Sequence, residues 1–114
     1  MQPIYVSQTG AGSTRWVSVS THMTPMNLSI AATVTGTVDF TVEYTYDDYW
    51  TWDNPGAAVL TSRTPTVWPD TVLVGATASG ETTFNNPITA WRLTVNSGSG
   101  TVAGVGIQAG IAGN

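Results

Sequence analysis

Residues 38–46 read V-D-F-T-V-E-Y-T-Y. Val38, Phe40, Val42, Tyr44 and Tyr46 fall on one side of that run, and Asp39, Thr41, Glu43 and Thr45 on the other. Strict alternation is the period of a strand with one face buried, and no helix can satisfy it. Nowhere in the chain do ten residues carry apolar side chains at the spacings of 3 and 4 that a helix needs. Thr fills 20 positions and Val 13, a β-branched composition that fits a pleated sheet and resists helix.

The same alternation recurs along the chain. A short strand is predicted over residues 4–8, followed by a turn at 9–13. Residues 15–20 alternate again, with Val17 and Val19 inward and Trp16, Ser18 and Ser20 outward. Pro25 predicts a break over 21–25, because proline cannot donate to a central ladder. A third strand follows over 28–34, and Gly36 predicts a tight turn that pairs it with the 38–46 strand as a hairpin. Further strands are predicted over 57–62, 71–74, 82–84, 88–95 and 101–109, with turns at 85–87 and 96–100. Gly104 and Gly106 interrupt the last strand, where glycine signals close backbone approach or a bulge. The tail 110–114 is small and reads as loose or tied to a neighbour.

About eight short strands separated by polar turns predict one all-β domain over residues 1–114, an antiparallel β-sandwich of jelly-roll type. Five Trp, four Tyr and two Phe in a chain that is 41% hydrophobic are enough to fill its core without staples.

Charge narrows the function. Only 9% of residues are charged, with no Lys, against roughly 25% in an ordinary soluble domain. So little charge predicts a surface that is covered in the working state. Seven acids against Arg15, Arg63 and Arg92 leave a net charge of -4, which argues against nucleic acid as a partner. The absence of Cys excludes a disulfide framework, a thiolate metal site and a thiol nucleophile. No apolar run approaches the ~20 residues of a membrane helix, and the start lacks the basic and apolar regions of a signal peptide. Synthesis in the cytoplasm without export, and no membrane partner, are the expectations.

No catalytic pattern stands out. His22 is the one imidazole, lies on a polar turn and lacks the acid and oxyanion hole of a triad. Glu43 and Glu81 are the only glutamates, and Glu43 falls on the outward face of its strand, against a glycosidase pair. Asp47, Asp48 and Asp53 lack the spacing and glycine of a calcium loop, so they read as turn formers. Neither enzyme activity nor a cofactor is expected. The candidate protein-interface residues are Tyr49, Trp50, Trp52, Trp68, Arg63 and Arg92. Tyr49, Trp50 and Trp52 sit in a loop, where large rings plug the end of a sandwich, contact another chain or stack on sugars. Arg92 lies on the polar face of its strand, in reach of Glu43 or a partner chain.

The Thr-Val-rich strands, the segment F-T-V-E-Y-T-Y and the ending P-I-T-A-W-R-L-T-V-N-S-G-S-G-T-V followed by I-Q-A-G resemble the jelly-roll cement (decoration) proteins of tailed-bacteriophage capsids. The resemblance covers most of the chain and is one of style. It implies a virion structural protein on the capsid exterior, made in the host cytoplasm, that forms a homotrimer and stabilises contacts between major capsid protein subunits. A tail or head-fibre component and a carbohydrate-binding β-sandwich module, the latter using Trp50, Trp52 or Trp68, are the alternatives.

Overall fold

The computed structural model describes residues 3–19, 23–46 and 66–112. Nine strands form β1 (Ile4–Thr9), β2 (Gly12–Ser13), β3 (Val17–Ser18), β4 (Met23–Thr35), β5 (Asp39–Thr45), β6 (Trp68–Pro69), β7 (Gly80–Phe84), β8 (Ala90–Ser97) and β9 (Thr101–Ala112). There is no helix among the described residues. One sheet has the order β1-β9-β4-β7, the other β2-β8-β5-β6, with β3 also on β8. All pairings are antiparallel.

β2 and β3 occupy one strand position. From Ser13↔Thr94 to Val17↔Trp91 the chain advances four residues against three on β8, a one-residue bulge. Counting them together leaves eight strands in two four-stranded sheets, and this order is that of a jelly roll. The strands next to one another in space are mostly distant in sequence, because β1, β4, β7 and β9 share one sheet while β5 and β8 share the other.

The core lies between the sheets. Leu28, Ile30 and Ala32 of β4 and Val102 of β9 face Phe40 and Val42 of β5 and Trp91, Leu93 and Val95 of β8, all buried. The inward alternation read over residues 38–46 holds at Val38, Phe40 and Val42, while Thr41 and Thr45, read as outward, are also buried, and Tyr46, read as inward, is largely exposed. Two packed sheets leave about 10 Å between backbones, too little for two large side chains opposite one another. The strand glycines resolve this. A Cβ on Gly106 would lie 2.5 Å from Cζ2 of Trp91, and one on Gly104 would lie 2.7 Å from Cδ1 of Leu93. These glycines form a slot in β9 that receives the indole and the leucine from the opposite sheet, the close approach that glycine in a strand signals.

Several sequence expectations change. β4 and β5 are not a hairpin: after Gly36 (φ 84) the chain crosses from one sheet to the other, so their apolar faces meet across the core instead of lying side by side. The break expected over 21–25 is not a strand end, because β4 passes through Pro25 by a register shift between Thr24 and Asn27. A bulge is where a missing N–H is tolerated. Residues 110–112 continue β9, with Ile111 paired to Thr24 and Ala112 to Met23. The strand expected over 15–20 pairs only at Val17–Ser18 in its ladder, and the expected turn at 9–13 contains β2.

The strand expected over 71–74 is displaced to β6, and the chain after it runs along β5 as an irregular edge. Val42 N donates to Leu73 O at 2.8 Å, and Phe40 and Ala76 exchange both backbone bonds. Asp70 causes the irregularity, since its Oδ2 accepts Leu73 N at 2.9 Å and Val72 N at 3.3 Å and pulls the backbone into a turn. The strand expected over 57–62 lies outside the described residues.

Candidate functional site

The connections β1–β2, β4–β5 and β8–β9 gather at one end of the sandwich. Gly10 N donates to Gly100 O and Gly100 N donates to Thr37 O, both at 3.0 Å. At the other end the inward face of β5 outruns the core. Tyr44 and Tyr46 follow Phe40 and Val42 on that face, and Trp68, paired with Tyr44, joins them from β6. Tyr44 stacks on Trp68 (centroids 6.4 Å, 19°), meets Tyr46 edge-on at 5.6 Å and meets Phe84 of the opposite sheet at 5.2 Å. Tyr46 meets Trp68 at 5.0 Å. Tyr46 remains 49% exposed and Trp68 37%, so the cluster closes the core from one side and meets solvent on the other.

A groove of about 330 Å³ opens beside it, lined by Tyr44, Asp70, Thr71, Thr83, Phe84, Asn85 and Asn86. Burial pushes the Tyr44 hydroxyl pKa up, and Tyr46 and the Asp70 charge add to the rise. The phenol is therefore a neutral hydrogen-bonding group at physiological pH.

The outward faces of the two sheets differ. On the β2-β8-β5-β6 sheet, polar groups satisfy one another. Glu43 Oε1 accepts from Arg92 Nε at 2.8 Å and from Thr94 Oγ1 at 2.6 Å, and Ser13 Oγ lies 2.8 Å from Thr94 Oγ1. The Arg92 guanidinium also lies over the Trp16 ring, 4.5 Å from its centroid. Of the two partners read for Arg92, the structure places Glu43 in contact. The pair is partly solvated, so Arg92→Lys, which loses the planar fork and the stacking while keeping the charge, is expected to cost only about 1 kcal/mol in urea unfolding.

On the β1-β9-β4-β7 sheet the outward side chains are mostly Thr, Ser and Ala, with a few larger apolar residues and with Asn27 and Glu81 as the larger polar ones. Tyr5 faces Val105, Val105 faces Ala31, and Ala31 faces Glu81 in one row across the four strands. Ile107, Ser29 and Thr83 form the next row. Tyr5 is 72% exposed and Ile107 44%. Glu81, on the β7 edge, is the one charged residue on this face among the described residues. A shallow depression of about 270 Å³ lies between Ile107, Val105, Ala31 and Glu81.

Of the interface candidates, Trp68 belongs to the aromatic cluster and Arg92 to the polar ladder, on different parts of the second sheet. Tyr49, Trp50, Trp52 and Arg63 lie outside the described residues, as do His22 and Asp47, Asp48 and Asp53. Sequence reasoning did not single out Tyr44, Tyr46, Asp70 and the Asn85–Asn86 turn as neighbours. Its one available signal was that the β5 alternation ends on two tyrosines, a wet-ended residue type, instead of aliphatics. Among the described residues no group of three or more His, Asp or Glu could hold a metal ion.

No family model matches the chain, and no curated protein or solved structure matches it either.

Proposed function

We propose that this chain is a structural protein of a bacteriophage virion, a capsid cement protein that assembles as a homotrimer and holds neighbouring major capsid protein subunits together from outside. The observation that supports this reading best is the outward face of the β1-β9-β4-β7 sheet. It carries exposed Tyr5 and Ile107 with Val105 and Ala31 between strands, and Glu81 alone as charge among the described residues. Interface centres are depleted of charge and enriched in aromatic residues, while a surface kept in water normally interleaves both charge signs. A rigid jelly roll holds such a face flat at no ordering cost on binding. Symmetry then multiplies a modest contact, since three linked copies dissociate far more slowly than one.

The test is co-sedimentation of the purified chain with capsids stripped of it, together with mass measurement across concentrations. A trimer that saturates the shell is expected, and a single charge in the middle of the apolar row, Val105→Lys, should weaken capsid binding by about 2 kcal/mol or more. Val105 points away from the core and is partly exposed, so the variant should melt within a few degrees of the parent. A chain that stays monomeric and ignores stripped capsids would end this reading.

A further inference from the structure

We propose that the groove at the aromatic end of the sandwich is a binding site for a neutral saccharide. Asp70 is the observation that points to a ligand. It is 5% exposed, its Oδ2 is engaged by the backbone of Val72 and Leu73, and its Oδ1 has no hydrogen-bond partner among the described residues although Asp70 lines the groove. A buried carboxylate oxygen without a donor is costly unless water or a ligand supplies one.

The rest of the lining defines the ligand. Asn85 and Asn86 are exposed, and their carboxamides make no hydrogen bond among the described residues, so both donors and acceptors are free. No cation lines the groove, and the Asp70 charge opposes an anionic ligand. Phosphate, carboxylate and nucleic acid are disfavoured together. The aromatic rings rule on the remaining choice. Tyr44, Tyr46 and Trp68 pack against one another at 5.0–6.4 Å, so they leave no central gap of the kind that encloses an ammonium group. Of the aromatic residues, Tyr44 and Phe84 line the groove itself and supply its apolar wall, with a phenol hydroxyl as polar end, while Tyr46 and Trp68 pack beside it on Tyr44. A molecule with hydroxyl donors on its rim and a C–H face beneath matches both halves, and that is a neutral sugar ring. The groove volume of about 330 Å³ is at the small end of the roughly 300–1,000 Å³ range of ligand sites, in keeping with one or two rings.

The groove lies between the end of β7, where it shares Thr83 with the outward face of the β1-β9-β4-β7 sheet, and Tyr44 and Asp70 of the other sheet, and the inference does not rest on the capsid reading. The experiment titrates the full chain with neutral hexasaccharides of glucose, mannose, galactose and N-acetylglucosamine, with sialyllactose and choline as controls. Saturation-transfer NMR and calorimetry provide the readouts. At least one neutral hexasaccharide is expected to bind saturably with Kd below about 1 mM, weakened about tenfold or more by Asp70→Asn, which removes the groove's carboxylate. The exposed pair Asn85→Ala and Asn86→Ala should have a similar effect without altering the circular dichroism, which separates lost recognition from lost folding. The inference is overturned by no saturable binding of any hexasaccharide, by binding that neither variant changes, or by choline or sialyllactose binding in preference.

Discussion

Trp91→Ala should lower folding stability by about 3–5 kcal/mol, read as a drop in Tm on the order of 15 °C. The indole is 1% exposed at the centre of the core, and its partner is a strand backbone without side chains to collapse into the void. The reciprocal change tests the slot itself. Gly106→Ala places a methyl 2.5 Å from Trp91 Cζ2, and a ring held on all sides cannot swing aside, so about 1–3 kcal/mol should be lost to overpacking. Gly104→Ala should cost less, because the atom it meets at 2.7 Å is the terminal Cδ1 of Leu93, which has other rotamers. In a Trp91→Phe background the Gly106→Ala penalty should shrink, giving a coupling of about 0.5–3 kcal/mol in the double-mutant cycle. Strict additivity of the two changes would show that the ring and the glycine do not share one slot.

How much of this arrangement could be read from residues alone depends on range. The inward face of β5 was legible at Phe40 and Val42 because a period of two admits one face only, though it did not foretell that Thr41 and Thr45 are covered too and that Tyr46 reaches solvent. The glycines of β9 announced a close approach without naming Trp91 or Leu93 as what approaches. The partner of each strand was not legible. Gly36 signals a reversal, but a turn residue specifies a local φ and says nothing of which sheet the next strand joins. Both outcomes bury the Leu28–Ile30–Ala32 face, and the crossover wins because it stacks that face on Phe40 and Val42 from the other sheet. Pro25 misled for a related reason, since proline forbids a ladder bond at its own position and a register shift removes the need for one.

The candidate sites were legible in kind more than in place. Sparse charge gave the expectation of a covered surface, and pairing brings together the exposed row Tyr5–Val105–Ala31 as the candidate for it, from three strands separated by tens of positions. The groove at the aromatic end was out of reach of a linear reading. Tyr44, Asp70 and Asn85 come from β5, the turn after β6 and the turn after β7, and only the jelly-roll order brings those three ends together.

The closed end of the sandwich supplies the second large effect. Gly98→Ala should destabilise the fold by about 3 kcal/mol or more, while Gly10→Ala should cost about 1–2 kcal/mol. Both glycines have positive φ, 100° and 72°, so both substitutions force an L-residue into a left-handed backbone. Space separates them. A Cβ at Gly10 meets nothing within 4 Å, whereas one at Gly98 would lie 2.3 Å from Thr37 O and 3.0 Å from Val38 Cα. Those are backbone atoms of the β4–β5 crossover, with no rotamer to yield. Thr37 O is also the acceptor of Gly100 N at 3.0 Å, so moving it to relieve the clash breaks the bond that ties the two crossovers together. Gly36 adds to the constraint, since a Cβ there would come within 3.2 Å of Gly100 Cα. The two sheets are thus held in register by glycines packed backbone to backbone, and amide exchange at the start of β9 should accelerate in Gly98→Ala well before exchange in β1 does. Equal losses for Gly98→Ala and Gly10→Ala in urea unfolding would mean that dihedral strain alone sets the cost and that the crossovers are not locked to one another.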